Sequence, residues 1–246
     1  MHGPHLHSAP DGVELKHVGV VLLDIEGTTT PIEFVHTTLF GHARARVQEF
    51  LERHEADPDV QADVAQLRAE HAAEVPPPNP PVASVAAYVR WLMDRDRKST
   101  GLKSLQGKVW AEGYRAGDLQ GVVFPDVPPA LARWRQQGKE IAIFSSGSVQ
   151  AQRDLFAHST AGDLTGFIQG YFDTTTGRKT AAESYARIAS ALGRSPSDIL
   201  FVSDVGAELD AAQAAGMDTA LCVRAPGSAT PTGGHTVIRT FDQLPG

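Results

Sequence analysis

Cysteine is almost absent from this chain of 246 residues: Cys222 stands alone. One thiol has no partner within the chain, so a disulfide scaffold and a cysteine-built zinc site are both excluded. A reducing compartment is the natural setting. Basic charge is also scarce. The 22 Lys and Arg against 29 Asp and Glu leave a net charge of −7, whereas a nucleic-acid surface needs a net basic footprint. No nucleic-acid partner is expected. No apolar run approaches the ~20 residues that cross a bilayer, so no membrane partner is expected either. The opening segment MHGPHLHSAP lacks a hydrophobic signal core. It reads as a flexible tail over 1–14 of a cytoplasmic protein, and His2, His5 and His7 within it make at most an adventitious metal site. Sequence repeats are missing too, and the one biased tract is EVPPPNPP at 74–81, a semi-rigid proline linker. What remains is ordinary for a globular protein: 41% apolar and 21% charged residues, on a chain long enough to bury a sizeable core.

The first strong element is VGVVLL at 18–23, ending at Asp24. A continuous β-branched apolar run is the pattern of a strand buried on both faces of a parallel sheet. After a short polar loop, Thr30, Pro31, Ile32 and Glu33 carry the signature of a capping box with proline at the first helical position. Val35, Leu39, Ala43, Val47, Phe50 and Leu51 then recur at helical spacing. From Pro31 to Val123 the patterns are helical throughout, with further helices near 82–97 and 98–117. From Asp126 the pattern becomes alternating helix and strand. Asp126, Pro128 and Pro129 open a helix that Gly138 closes. Strands are expected at 141–144, 199–202, 219–223 and 237–238, and a second capping box, Thr180 to Glu183, opens a helix that stops at Gly193. Repeated βα units mean a parallel sheet with helices on both faces. The predicted class is therefore α/β, a Rossmann-like core over 15–30 and 124–246 with a small all-helical domain inserted at 31–123.

In such a sheet, ligands bind beyond the carboxyl ends of the strands. The first strand delivers Asp24 and then Glu26; the second delivers Ser145, Ser146 and Gly147 at a helix start. Lys179 precedes a helix, and Asp204 follows another strand with Glu208 four residues on. Asp24 and Asp204 are the hard oxygen ligands that Mg²⁺ prefers. Ser145 and the amides near Ser146 suit phosphate oxygens, and Lys179 supplies a compact positive charge. Each alone is a turn, cap or surface residue; together they make a phosphoryl-transfer site with Asp24 as nucleophile. Glu208 is read as supporting structure.

This order of motifs resembles the haloacid dehalogenase-type phosphohydrolases, whose first type of cap follows the first strand. The segment 24–32 (DIEGTTTPI) resembles the opening motif of the enolase-phosphatases, also called acireductone synthases. So do Asp96, Arg97, Lys98 and LKSLQG at 102–107 with Trp110, then SSGSVQAQ at 145–152, and FDT at 172–174 with Lys179. The resemblance implies a methionine-salvage reaction. It would enolise 2,3-diketo-5-methylthiopentyl 1-phosphate and dephosphorylate it to 1,2-dihydroxy-3-keto-5-methylthiopentene through an aspartyl-phosphate. It implies one Mg²⁺ per chain, held by the side chains of Asp24 and Asp204 and the backbone carbonyl of Glu26. Ser145, Ser146 and Lys179 would bind substrate, and the protein would be a monomer. Glu26 stands where related phosphatases carry aspartate as general acid and base. Between Arg90 and Lys108 six basic residues face two acidic ones, which expects a lid presenting Arg97, Lys98 and Lys103 to the anionic substrate. The competing readings are a phosphatase for another small ester, a dehalogenase, or a phospho-acceptor signalling module. The long helical insertion speaks against the module.

Overall fold

The computed structural model describes residues 15, 17–76, 82–97, 99–224 and 234–244. Six strands form one sheet in the order β3-β2-β1-β4-β5-β6. They are β1 (Val20–Leu23), β2 (Glu140–Phe144), β3 (Gly170–Phe172), β4 (Ile199–Ser203), β5 (Asp218–Cys222) and β6 (Thr236–Ile238), and every pairing is parallel. Side chains alternate between the two faces of a strand, and both faces are dry here. Val21 and Leu23 of β1 join Ile141, Ile143, Leu200 and Val202 in one apolar cluster, while Val20 and Leu22 join Ala142, Phe144, Ile199 and Phe201 in another. This two-sided burial is why the strands read as unbroken apolar runs. Helices α7 (Ala182–Leu192) and α8 (Gly206–Ala214) cover the second cluster. Helices α5 (Val127–Gln136) and α6 (Val149–Ala157) cover the first.

Between β1 and α5 the chain is helical among the described residues. A π-helical segment, Phe34–Leu39, leads into α1 (Phe40–Arg53), followed by α2 (Pro58–Ala72), α3 (Val85–Met93) and α4 (Thr100–Ala116). Asp57, Ser84 and Ser99 cap the last three, each accepting a backbone N–H of the first turn. The apolar cluster on one sheet face runs on without a break into Val35, Leu39, Val47, Leu67, Leu92 and Leu105 of these helices. The chain leaving them is laced to the chain entering them: the Phe124 amide donates to the Thr29 carbonyl at 2.9 Å. Just before, Gly121 exchanges 2.8 Å backbone bonds with His158 and Thr160. A side chain at Gly121 would put its Cβ 2.2 Å from the Leu155 carbonyl, so only glycine passes there.

Two local expectations fail, each for a tertiary reason, and a third, the helix opened by Asp126, holds with the carboxylate otherwise engaged. Thr30 does not cap the first helix: it is fully buried, bridged to Glu26 as backbone, and its hydroxyl is unpaired. Thr180 does not cap α7 either, because Ala181 takes that position. The turn is closed from inside the helix instead, where Ser184 Oγ donates to the Arg178 carbonyl and Tyr185 Oη to that of Lys179, both at 2.7 Å. Asp126 stands at the start of α5 without capping it, since its carboxylate is committed to Arg224. Strand β3 went unanticipated: it is three half-buried residues at the sheet edge, too short to show a period. The proline tract beyond Pro76 and the tail over 1–14 lie outside the described residues.

Candidate active site

Strands β1 and β4 lie side by side, Leu23 opposite Val202, at the point where the strand order reverses direction. Asp24 leaves β1 there, its amide donating to the Val202 carbonyl at 3.0 Å. Asp204 follows β4 directly. Gly27 packs against it in the left-handed region (φ +72), and a Cβ there would fall 2.2 Å from Asp204 Oδ2. A tight turn therefore brings the loop after β1 onto the carboxylate after β4. The turn is closed by the Thr28, Thr29 and Thr30 amides, which all donate to the Ile25 carbonyl at 3.2, 3.0 and 2.9 Å.

Lys179 completes the cluster. Its Nζ donates to Asp24 Oδ1 at 2.6 Å and pairs with Glu208 Oε2 at 2.6 Å. All three side chains are nearly buried: Lys179 is 9%, Asp24 5% and Glu208 12% exposed. Glu208 is steadied by Ser203 Oγ at 3.0 Å. Burial pushes the Asp24 carboxyl up to about 7 against the pull of Lys179, with Glu208 and Asp204 adding to the rise. Burial likewise lifts Asp204 to about 6. Burial opposes the Lys179 charge, but Asp24 and Glu208 outweigh it and hold the ammonium above its usual range. Burial raises Glu26 also; His36 and Lys179 oppose that rise, while Glu208 and Asp96 reinforce it. Four carboxyl groups thus share one buried ammonium, an excess of negative charge suited to a bound cation.

The second loop flanks this cluster. Ser145 is buried, and its Oγ accepts the Gly147 amide at 3.2 Å. Ser146 is exposed. Ser148 caps α6 by accepting the Ala151 amide at 3.2 Å. Asp173, after β3, accepts the Val149 amide at 3.3 Å and the Thr175 amide at 2.8 Å.

The basic stretch of the insertion divides. Lys103 of α4 reaches the strand-end edge, its Nζ donating to Thr174 Oγ1 at 2.8 Å. Arg97 turns elsewhere, onto Glu74 at 3.0 and 3.2 Å. Arg95 stacks over Trp91 at 4.5 Å, and Lys108 is spent on Asp63 and the Asp59 carbonyl. The expected basic face therefore narrows, because acids and carbonyls of neighbouring helices claim most of it. Lys98 lies outside the described residues.

A family model for haloacid dehalogenase-like hydrolases matches residues 18–216. Enolase-phosphatase E1 of Synechococcus elongatus is 54% identical over 233 residues, covering 92% of this chain and 98% of its own. Its counterpart in Sorangium cellulosum is 49% identical over 228 residues, covering 91% and 96%. This chain belongs to the enolase-phosphatase family of the haloacid dehalogenase-like hydrolases. The crystal structure of the Unknown transcript 4 protein of Saccharomyces cerevisiae superposes with a TM-score of 0.76 at 34% identity, over 92% of this chain and 100% of that one. CbbY of Rhodobacter sphaeroides, solved with phosphate, shares the fold alone: its TM-score is 0.59 at 14% identity, over 91% and 95%.

For an enolase-phosphatase, sequence reasoning reached Asp24, Glu26, Lys179 and Asp204 through their places at strand and helix ends. Asp96 enters that reading only as part of the family-like cap segment and His36 is given no role in it, yet both act on Glu26 across space. Asp96 is the non-glycine residue with a left-handed backbone (φ 47) among those described, and His36 sits in the π-helical segment. Strained residues and π-segments both recur at functional sites, yet neither is visible in composition. No set of three or more His, Cys, Asp or Glu side chains gathers as a ready metal cage among the described residues. A metal here would be held by two carboxylates and a carbonyl.

Proposed function

We propose that this protein is a bifunctional enolase-phosphatase. It enolises 2,3-diketo-5-methylthiopentyl 1-phosphate and hydrolyses the phosphate ester to give 1,2-dihydroxy-3-keto-5-methylthiopentene. The observation that carries the reading is the buried Asp24–Lys179–Glu208 chain beside Asp204 at the reversal of strand order. Lys179 occupies Oδ1 of Asp24, which leaves the other oxygen to attack phosphorus. The phosphorus–ester oxygen bond breaks as the aspartyl-phosphate forms, and the departing enol oxygen takes a proton. Water then attacks the phosphorus, releasing inorganic phosphate and free Asp24. Ser145, Ser146 and Lys179 bind the phosphoryl oxygens, and Lys179 holds Asp24 in line.

Asp24, Asp204 and the Glu26 carbonyl suit Mg²⁺, which keeps several waters and takes few protein ligands. When bound, Mg²⁺ neutralises charge between the nucleophile and the phosphate. Burial raises the Glu26 side chain above the usual carboxylate range, the direction that suits a group exchanging protons; we assign it the proton transfers of enolisation and of the leaving group. Residues 31–123 form a cap over the 15–30 and 124–246 core. Lys103, together with Lys98 and Arg97 on cap movement, meets the substrate. The enzyme works as a monomer in the cytoplasm on a small diffusible ester.

The test is ³¹P and ultraviolet monitoring with the diketo phosphate and Mg²⁺, beside Asp24→Asn. An enol chromophore with free phosphate, both lost in the variant, is the expected result. Phosphate release from other esters but not from this one would keep the phosphatase and discard the substrate. No release from any ester would shift the reading to a phospho-acceptor module.

A further inference from the structure

Arg224 lies just past β5, one βα unit beyond Asp204 and nearly 200 residues after the loop that follows β1. Its side chain is 10% exposed, as is that of Asp126. Its donors are all directed. Nε and Nη2 both donate to the Thr28 carbonyl, at 3.0 and 2.7 Å. Nη1 donates to both oxygens of Asp126, at 2.8 and 2.7 Å, and to the Arg239 carbonyl at 3.3 Å. The guanidinium lies between two aromatic rings, 4.3 Å from the centre of Phe124 and 4.7 Å from that of Phe241. Asp126 Oδ2 also accepts the Phe241 amide at 2.6 Å.

This is a site for arginine alone. A planar fork can serve one carbonyl with two N–H groups, reach a carboxylate with another, and stack on both faces. Lysine offers a single point of charge and no plane. The cost of losing the fork is local. Thr28 is fully buried, so its carbonyl would be left without these two donors, and the buried Asp126 charge would lose its partner.

The location gives the network its meaning. Thr28 follows Gly27, which packs on Asp204, and lies two residues after Glu26. Phe124, under the guanidinium, donates to the Thr29 carbonyl and so joins the entering and leaving connections of the insertion. One side chain therefore grips the loop after β1 and the root of the insertion together.

We propose that Arg224 is a positioning residue of this active site. Through the Thr28 carbonyl it sets the turn that places Asp24, Glu26 and Gly27 against Asp204, and through Asp126 and Phe124 it anchors that turn to the base of the insertion. The inference rests on the phosphatase reading for its kinetic test and on geometry alone for its structural one.

Arg224→Lys and Asp126→Asn are compared with wild type by p-nitrophenyl phosphate turnover in Mg²⁺ and by amide hydrogen exchange of the metal-free proteins. In Arg224→Lys, kcat falls by about ten- to a hundredfold with KM within about threefold, the mark of misplaced reacting groups. Exchange of the 27–30 amides speeds up by about tenfold or more while the β2 and β4 amides hold their protection. Asp126→Asn, which leaves the Thr28 bonds in place, shows the same pattern at smaller amplitude, and it carries the test if Arg224→Lys does not fold. Unchanged kcat with unchanged loop exchange overturns the proposal. So does a uniform rise in exchange across the sheet, which marks general destabilisation. Wild type inert on every ester refutes the phosphatase reading, while the exchange pattern still judges Arg224.

Discussion

Asp24 shows how one buried side chain ties stability to the proposed chemistry. An ordinary aspartate titrates near 3.8, whereas burial lifts Asp24 to about 7 and Asp204 to about 6. The folded state therefore binds protons that the unfolded chain has released. Stability from these two groups is fully present below about pH 4 and is lost as pH rises through about 6 to 7. Mg²⁺ held as proposed would compete for the same oxygens and offset the loss. Thermal melts at about pH 5.5 and about pH 8 check this. The metal-free protein is expected to melt higher at the lower pH, with the larger Mg²⁺-induced rise at the higher pH. Asp24→Asn flattens both trends; an equal Mg²⁺ effect at the two pH values would refute the assignment. These acids were legible because each follows an apolar run that ends abruptly. Arg224 and Asp126 were not, since nothing local in an arginine after a strand, or an aspartate before two prolines, names a partner across the fold.

Single elements were legible where one signal decides and opaque where burial overrides it. β1, β2 and β4 announced themselves because both faces are dry, and α7 stops at Gly193 as expected. The capping boxes misled because the same letters serve two purposes. Thr30 is drawn into the interior by the turn after β1, while Thr180 is left exposed and without a capping bond. Ser148, by contrast, does cap α6. Ser148→Ala should then cost about 1 kcal/mol, and Thr180→Ala less than about 0.5 kcal/mol. Urea denaturation midpoints distinguish them, and equal losses would mean that Thr180 caps α7 in solution. The three-residue β3 had no periodic signal to give, and its place at the edge follows from its neighbours rather than from its own composition.

At the scale of the molecule, the insertion and the sheet share one apolar cluster, but among the described residues few charged side chains of the insertion reach the site. Lys103 on Thr174 is the exception, a cation of α4 placed at the strand-end edge. It is half-buried, and burial lowers its pKa against the attraction of Asp173. Lys103→Ala is expected to raise KM for a phosphate ester by about three- to tenfold with kcat little changed, the signature of lost binding rather than lost chemistry. Steady-state kinetics at low and saturating ester read it directly; an unchanged KM would confine Lys103 to a structural contact. The helical nature of 31–123 was plain in the sequence. Which of its charges face the sheet was not, because Asp63 of α2 and Glu74 just past its end claim Lys108 and Arg97, partners that only packing brings near.

The hydrogen bond between Phe124 and Thr29 has a consequence for how the chain assembles. Val20 of β1 pairs with Glu140 of β2 across the whole insertion, so the central strands are neighbours only after a long loop has closed. Closure entropy grows with the span that remains flexible, and distant pairings slow folding. Helices that pack on one another first, bringing Thr29 and Phe124 into register, turn that span into a short one. An insertion that closes first would act as a clasp, shortening the loop that must close before β1 and β2 meet at the middle of the sheet.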